Sequence, residues 1–137
     1  MRFIDYIVVH CSATREHQEF DAQDIDAWHK KRGWLGCGYH YVVLLDGTVQ
    51  MGRPERMAGA HVKGYNHNSI GICYIGGLDA NGKPKDTRTP QQKQALKKLI
   101  ASQKRKFPKA QVKGHRDFPK VKKDCPCYDA ELEYQTI

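Results

Sequence analysis

Residues 39 to 51, YHYVVLLDGTVQM, restrict the fold more than any other stretch of the chain. Two β-rich runs flank Asp46-Gly47, a dipeptide that favours the positive backbone angles of a tight turn, so the stretch predicts a hairpin. Alternation along the first run puts Tyr39, Tyr41, Val43 and Leu45 on one face and His40, Val42 and Leu44 on the other. Other strands must complete the sheet. Residues 3 to 10, FIDYIVVH, read as one, with Ile4, Tyr6, Val8 and His10 on a shared face and a loop, SAT, after it. Residues 69 to 75, SIGICYI, read as a strand buried on both faces, and AQVKG, 110 to 114, as a short one.

Helical spacing fills the intervals. From Asp21 to Arg32 the residues Ala22, Ile25, Trp28 and His29 form a stripe, and Gly33 is a natural stop. DANGKPKDTR reads as a polar surface loop, after which Thr89-Pro90 opens a helix with Gln92 three residues past the cap. Leu96, Leu99, Ile100 and Phe107 give that helix its apolar side, and YDAELEYQ predicts a short final helix. Strands and helices intermingled around one hairpin predict an α/β fold, a single domain over residues 1–137 with a central mixed β-sheet flanked by helices.

Lys plus Arg number 23 against 15 Asp plus Glu, a formal net charge of +8 that favours an anionic partner such as nucleic acid or a bacterial wall. No helix-turn-helix or base-reading signature accompanies the charge, so no direct nucleic-acid contact is expected. The apolar runs are too short for a transmembrane segment. MRFIDYIVVH carries Asp5 early and has no cleavable apolar core, which predicts accumulation in the cytoplasm of the producing cell. An odd count of five scattered cysteines argues against a disulfide framework.

His10 at a strand end, with His115 and Cys125 flanking a loop, offers two imidazoles and a thiolate, a donor set that suits zinc. Three ligands leave a fourth position for water or substrate. Seven His and five Cys offer many such triplets, so spacing alone leaves the stretch GHRDFPKVKKDCPCYD open as a metal site or a basic loop. Lys123 reads equally as a charge beside that site or as one solvated member of its lysine run. Tyr39 reads as a hydroxyl aimed at the site or as a core aromatic.

VVHCSAT, GYHYVVLLDGTV, GAHVKGYNHNSIGI, the TPQQ helix opening and GHRD…KKDCP occur here in order. Together they resemble the zinc-dependent N-acetylmuramoyl-L-alanine amidases, within the superfamily that includes peptidoglycan-recognition proteins, and above all the small T-odd coliphage members. The resemblance runs from about residue 4 to about residue 130. It implies one zinc ion held by His10, His115 and Cys125, a catalytic pair in Tyr39 and Lys123, and His61 lining the substrate groove. His40, Asn66, His67 and Asn68 sit inside matching motifs and read as structural residues or as hydrogen-bonding partners that orient the ligands. His17 and His29 match nothing functional, and Cys11, Cys37 and Cys73 read as buried thiols. Cys127 departs from the family, which has a small residue there, and a thiol so near Cys125 could compete for the metal.

The implied activity is hydrolysis of the amide between N-acetylmuramic acid and L-alanine in bacterial peptidoglycan, as a phage endolysin. The expected setting is a monomer made in the infected cytoplasm and released by a holin-type helper. Two other roles exist in the superfamily. One is recognition of peptidoglycan without cutting, whose members typically lack the cysteine ligand. The other is inhibition of a phage RNA polymerase, tied to an N-terminal extension; this chain begins almost at its first strand, which weighs against that role and leaves it as an alternative.

Overall fold

The computed structural model describes residues 2–137. In chain order its regular elements are β1 (Tyr6–Cys11), β2 (Thr14–Arg15), α1 (Ala22–Lys31), β3 (Tyr41–Val43), β4 (Val49–Met51), β5 (Ser69–Tyr74), β6 (Gly77–Leu78), α2 (Pro90–Lys106), β7 (Gln111–Gly114) and α3 (Ala130–Glu133). Five strands form a mixed sheet in the order β4-β3-β5-β1-β7, antiparallel only between β3 and β4. The expected α/β architecture is therefore present.

Alternation along the buried strands divides the core between the two faces of the sheet. Ile7, Val9, Ile70, Ile72, Tyr74 and Val43 meet Leu96 and Ile100 of α2. Truncating either of those two helix residues to Ala should cost about 2–5 kcal/mol. On the opposite face Val42 and Cys73 pack with Ile25 of α1, and Val8 packs with Val62 and Phe118.

Local chemistry fixes the helix ends. Asp21 caps α1, and Gly33 just beyond it takes φ +85°. At α2 the Thr89 hydroxyl accepts from the Gln92 N–H at 3.0 Å, while Gln92 Oε1 accepts from the Thr89 N–H at 3.0 Å. Gln92 then donates through Nε2 to Ile75 O at 2.9 Å and Val43 O at 3.3 Å, fastening the helix start to two strand ends.

Several expectations need correction. The first strand begins at Tyr6 and takes in Cys11, and Ile4 packs in the α2-side core with Ile7 and Val9, away from Val8. The end of the SAT loop is strand β2, paired with β6. The hairpin turn is longer than a two-residue one: Gly47 N donates to Leu44 O and Leu44 N to Thr48 O, with positive φ at Gly47 and not at Asp46. That is a three-residue connection ending in a glycine bulge. Tyr39 precedes the strand, so it packs with Val42 and not with Tyr41 and Val43. Finally, the polar loop ends in a buried arginine: Arg88 bonds Asp86 and Glu133 and lies 3.3 Å over the Tyr128 ring.

Candidate active site

Parallel register assembles the site. β1 and β7 pair with Val9 opposite Gly114, so the next residues, His10 and His115, emerge together at the carboxyl ends of adjacent strands. Their rings lie 4.6 Å apart between centroids. His115 opens a single 3₁₀ turn, His115–Asp117, which Asp117 caps by accepting from the Gly114 N–H at 2.8 Å. The chain then loops back, and Arg116 N donates to Cys125 O at 2.8 Å. Tyr74 holds the loop from below, its hydroxyl donating to Pro126 O at 2.6 Å.

One ligand atom each from His10, His115 and Cys125 lies within 4.8 Å of the other two. Cys125 Sγ also receives the Cys11 backbone N–H at 3.2 Å. His10 is buried, and its Nε2 meets Nδ1 of His61 at 2.8 Å. Burial above all, then the neighbouring His61, His115 and Lys123, holds the His10 pKa well below the ordinary range. His115 is lowered by burial and then by Lys123. Both rings are thus neutral near pH 7, as metal ligation requires.

A groove of about 190 Å³ opens over the cluster, with Tyr39, His61 and Lys123 among its lining residues. The Tyr39 ring is 5.0 Å from that of His10. Burial first, then nearby thiols, raises its phenol well above the usual value, so the hydroxyl keeps its proton near neutral pH. Lys123 is exposed on the rim. His61 has only 9% of its surface exposed, and both of its ring nitrogens are engaged inside the protein.

The residues read as structural or as ligand orienters make no direct hydrogen bond to the three cluster side chains. His40 accepts from Gly71 N at 3.0 Å and bonds Met57 O at 2.8 Å, and His67 is exposed. Asn66 Oδ1 accepts from His61 N and Val62 N at 2.8 and 2.9 Å, and Asn68 donates to Asp5. Cys127 turns away from the cluster: its Sγ is 4.0 Å from Cys11 Sγ and donates to Gly77 O at 3.3 Å. Groove residues that sequence reasoning missed are Ser12, Trp28, His29, Arg32 and Trp34. Trp28 and His29 were visible only as the apolar stripe of α1.

Comparison with known proteins follows the same lines. The family described as N-acetylmuramoyl-L-alanine amidase matches residues 1–128. The endolysin of Escherichia phage T7 is 45% identical over 125 residues, 91% of this chain and 82% of the phage protein. Among solved structures, N-acetylmuramoyl-L-alanine amidase LysC from Clostridium intestinale aligns with TM-score 0.80 at 31% identity, over 96% of this chain and 82% of LysC. Drosophila PGRP-LB aligns with TM-score 0.78 at 27% identity, over 99% and 82% of the two chains.

Proposed function

The chain belongs to the N-acetylmuramoyl-L-alanine amidases, and from that premise we propose that residues 1–137 form one amidase domain in which His10, His115 and Cys125 hold a single zinc ion while Tyr39 and Lys123 act on the amide being cut. The observation that carries the reading is the convergence of two neutral imidazoles and one sulfur within 4.8 Å at the floor of a groove. Nitrogen and sulfur donors in that number suit a catalytic zinc, which keeps one position open. A zinc ion held there by His10, His115 and Cys125 would supply Lewis-acid polarisation of a carbonyl and a source of hydroxide near neutral pH.

The protein's own groups do the rest. Tyr39, protonated and beside His10, donates to oxygen where negative charge develops. Lys123 brings a positive charge to the same place from the rim, where it stays hydrated until substrate covers it. His61 adds a small part of its surface to the groove wall. The bond cut is the amide joining the lactyl group of N-acetylmuramic acid to L-alanine, which releases stem peptides from the glycan and lyses the cell.

No helix among the described residues is long and apolar enough to cross a membrane. A monomer made in the cytoplasm of an infected bacterium, and admitted to the wall by a holin-type helper, fits this role. The test is digestion of purified peptidoglycan by the protein as isolated, after chelation, and after zinc is restored. Zinc-dependent appearance of L-alanine amino groups is expected. A folded, zinc-loaded sample that binds the wall tightly and releases none would make the protein a recognition module.

A further inference from the structure

Behind His10 lies a chain of buried polar groups whose direction can be worked out from one end. Ser69, at the start of β5 and fully buried, donates its hydroxyl hydrogen to Tyr65 O at 2.7 Å. A serine has one such hydrogen, so toward His61 Nε2, 3.2 Å away, Ser69 Oγ can only accept. His61 Nε2 therefore carries the proton. A neutral imidazole has one N–H, which leaves His61 Nδ1 bare to accept from His10 Nε2 at 2.8 Å. His10 then holds its proton on Nε2, and its lone pair is on Nδ1.

The surroundings of His61 are shaped to keep this arrangement. Its ring lies close against two glycines: a Cβ at Gly59 would stand 2.5 Å from His61 Cδ2, and one at Gly71 would stand 2.7 Å from the same atom. Asn66 fixes the backbone of His61 through its N–H. Hydrogen bonds at both ring nitrogens hold the ring's orientation, with Nδ1 on His10 and Nε2 on Ser69.

We propose that Ser69 and His61 are positioning residues, a buried relay that sets the tautomer of His10 and so presents its Nδ1 to the cluster formed with His115 and Cys125. The proposal rests on the reading of His10 as a metal ligand. It gives His61 a task other than substrate contact, and gives a role to a serine two links from the cluster. Partners of this kind, one step beyond the ligands, typically change metal affinity by about 10- to 100-fold when removed.

The test uses the full chain in two states. Two-bond nitrogen–proton NMR of the zinc-free wild type, near neutral pH, should find both His10 and His61 protonated on Nε2. In Ser69→Ala the hydroxyl is gone, so His61 and His10 should show mixed tautomers, and zinc affinity by chelator competition should fall about 10-fold or more. His61→Phe, which keeps a ring but offers no acceptor, should weaken zinc at least as much. A wild-type His10 protonated on Nδ1 would overturn the relay whether or not the variants fold. So would a Ser69→Ala protein with unchanged tautomers and affinity. A wild type with the expected tautomers that takes up no zinc would instead sink the metal-site reading, and with it the purpose of the relay.

Discussion

Gly114 lies so close beneath Pro126 that a Cβ on it would stand 2.7 Å from the proline Cδ. The loop cannot simply lift, because Tyr74 holds Pro126 by its carbonyl and Arg116 holds Cys125 by its own. Gly114→Ala should therefore displace Cys125 relative to His10 and His115. A loss of about 1–3 kcal/mol in stability is expected, the usual cost of overpacking. Zinc affinity should fall about 10-fold, as when a ligand loses its orienting support. Thermal melts beside chelator competition would check both. Reduced stability with unchanged affinity would show that the ligand loop is not placed by this contact.

Cys127 raises the question of which sulfur serves the cluster. Its Sγ points to Cys11 and Gly77 O, whereas Cys125 Sγ faces the two histidines. Cys127→Ser should then keep zinc and turnover within about twofold, while Cys125→Ser should lose zinc by about 100-fold, since a hydroxyl replaces a thiolate donor. Zinc stoichiometry on the two purified variants would decide. The backbone also bears on the family's small residue here: Cys127 sits at φ +70°, where glycine is the unstrained choice.

What could be read beforehand depended on how local the signal was. The α2 cap at Thr89 and Gln92 was legible because its two hydrogen bonds span three residues. The meeting of His10 and His115 was not legible from spacing, because it depends on the parallel register of strands about a hundred residues apart; ordered family motifs supplied it. Alternation carried back to Tyr39, two residues before the strand start at Tyr41, gives it the face opposite to the one it packs on. Arg88 reads as loop polarity because its partner Glu133 lies far along the chain. His61 reads as a groove residue and does line the groove, but nothing in its motif reveals the buried partners at its two ring nitrogens.

Stability should depend on pH in a defined direction. Burial is the largest cause lowering the pKa of His10, His29, His40, His61 and His115 below the ordinary histidine value. Below about pH 6.5 the unfolded chain takes up protons that the folded chain still refuses. Stability from these groups is thus complete above that value and is lost as pH falls toward the lowered pKa values. Unfolding of the chelated protein from about pH 8 to about pH 5 should show a plateau and then a decline, each histidine contributing up to ~1.4 kcal/mol per pH unit within its window. A flat profile over that range would mean that these histidines titrate normally in the fold.

Tyr39 and Lys123 should separate metal binding from catalysis. Neither belongs to the cluster of candidate ligands, so Tyr39→Phe should bind zinc as the wild type does. Its loss should appear in turnover, about 10²- to 10³-fold, the cost of removing one donor to a developing oxyanion. Because burial holds the phenol well above its ordinary pKa, the hydroxyl is a donor and not a base near neutrality. Loss of activity in mild alkali should therefore not trace to Tyr39. Lys123→Ala should lower turnover about 10²-fold by the same argument from charge. Its positive charge already disfavours further charge on His10 and His115. Zinc affinity in that variant should accordingly stay constant or tighten by about a few fold, because one repulsive neighbour of the cation is gone. Zinc titration and peptidoglycan kinetics on the same preparations would check both variants. If zinc and turnover fell together, these residues would be supports of the site and not its catalytic pair.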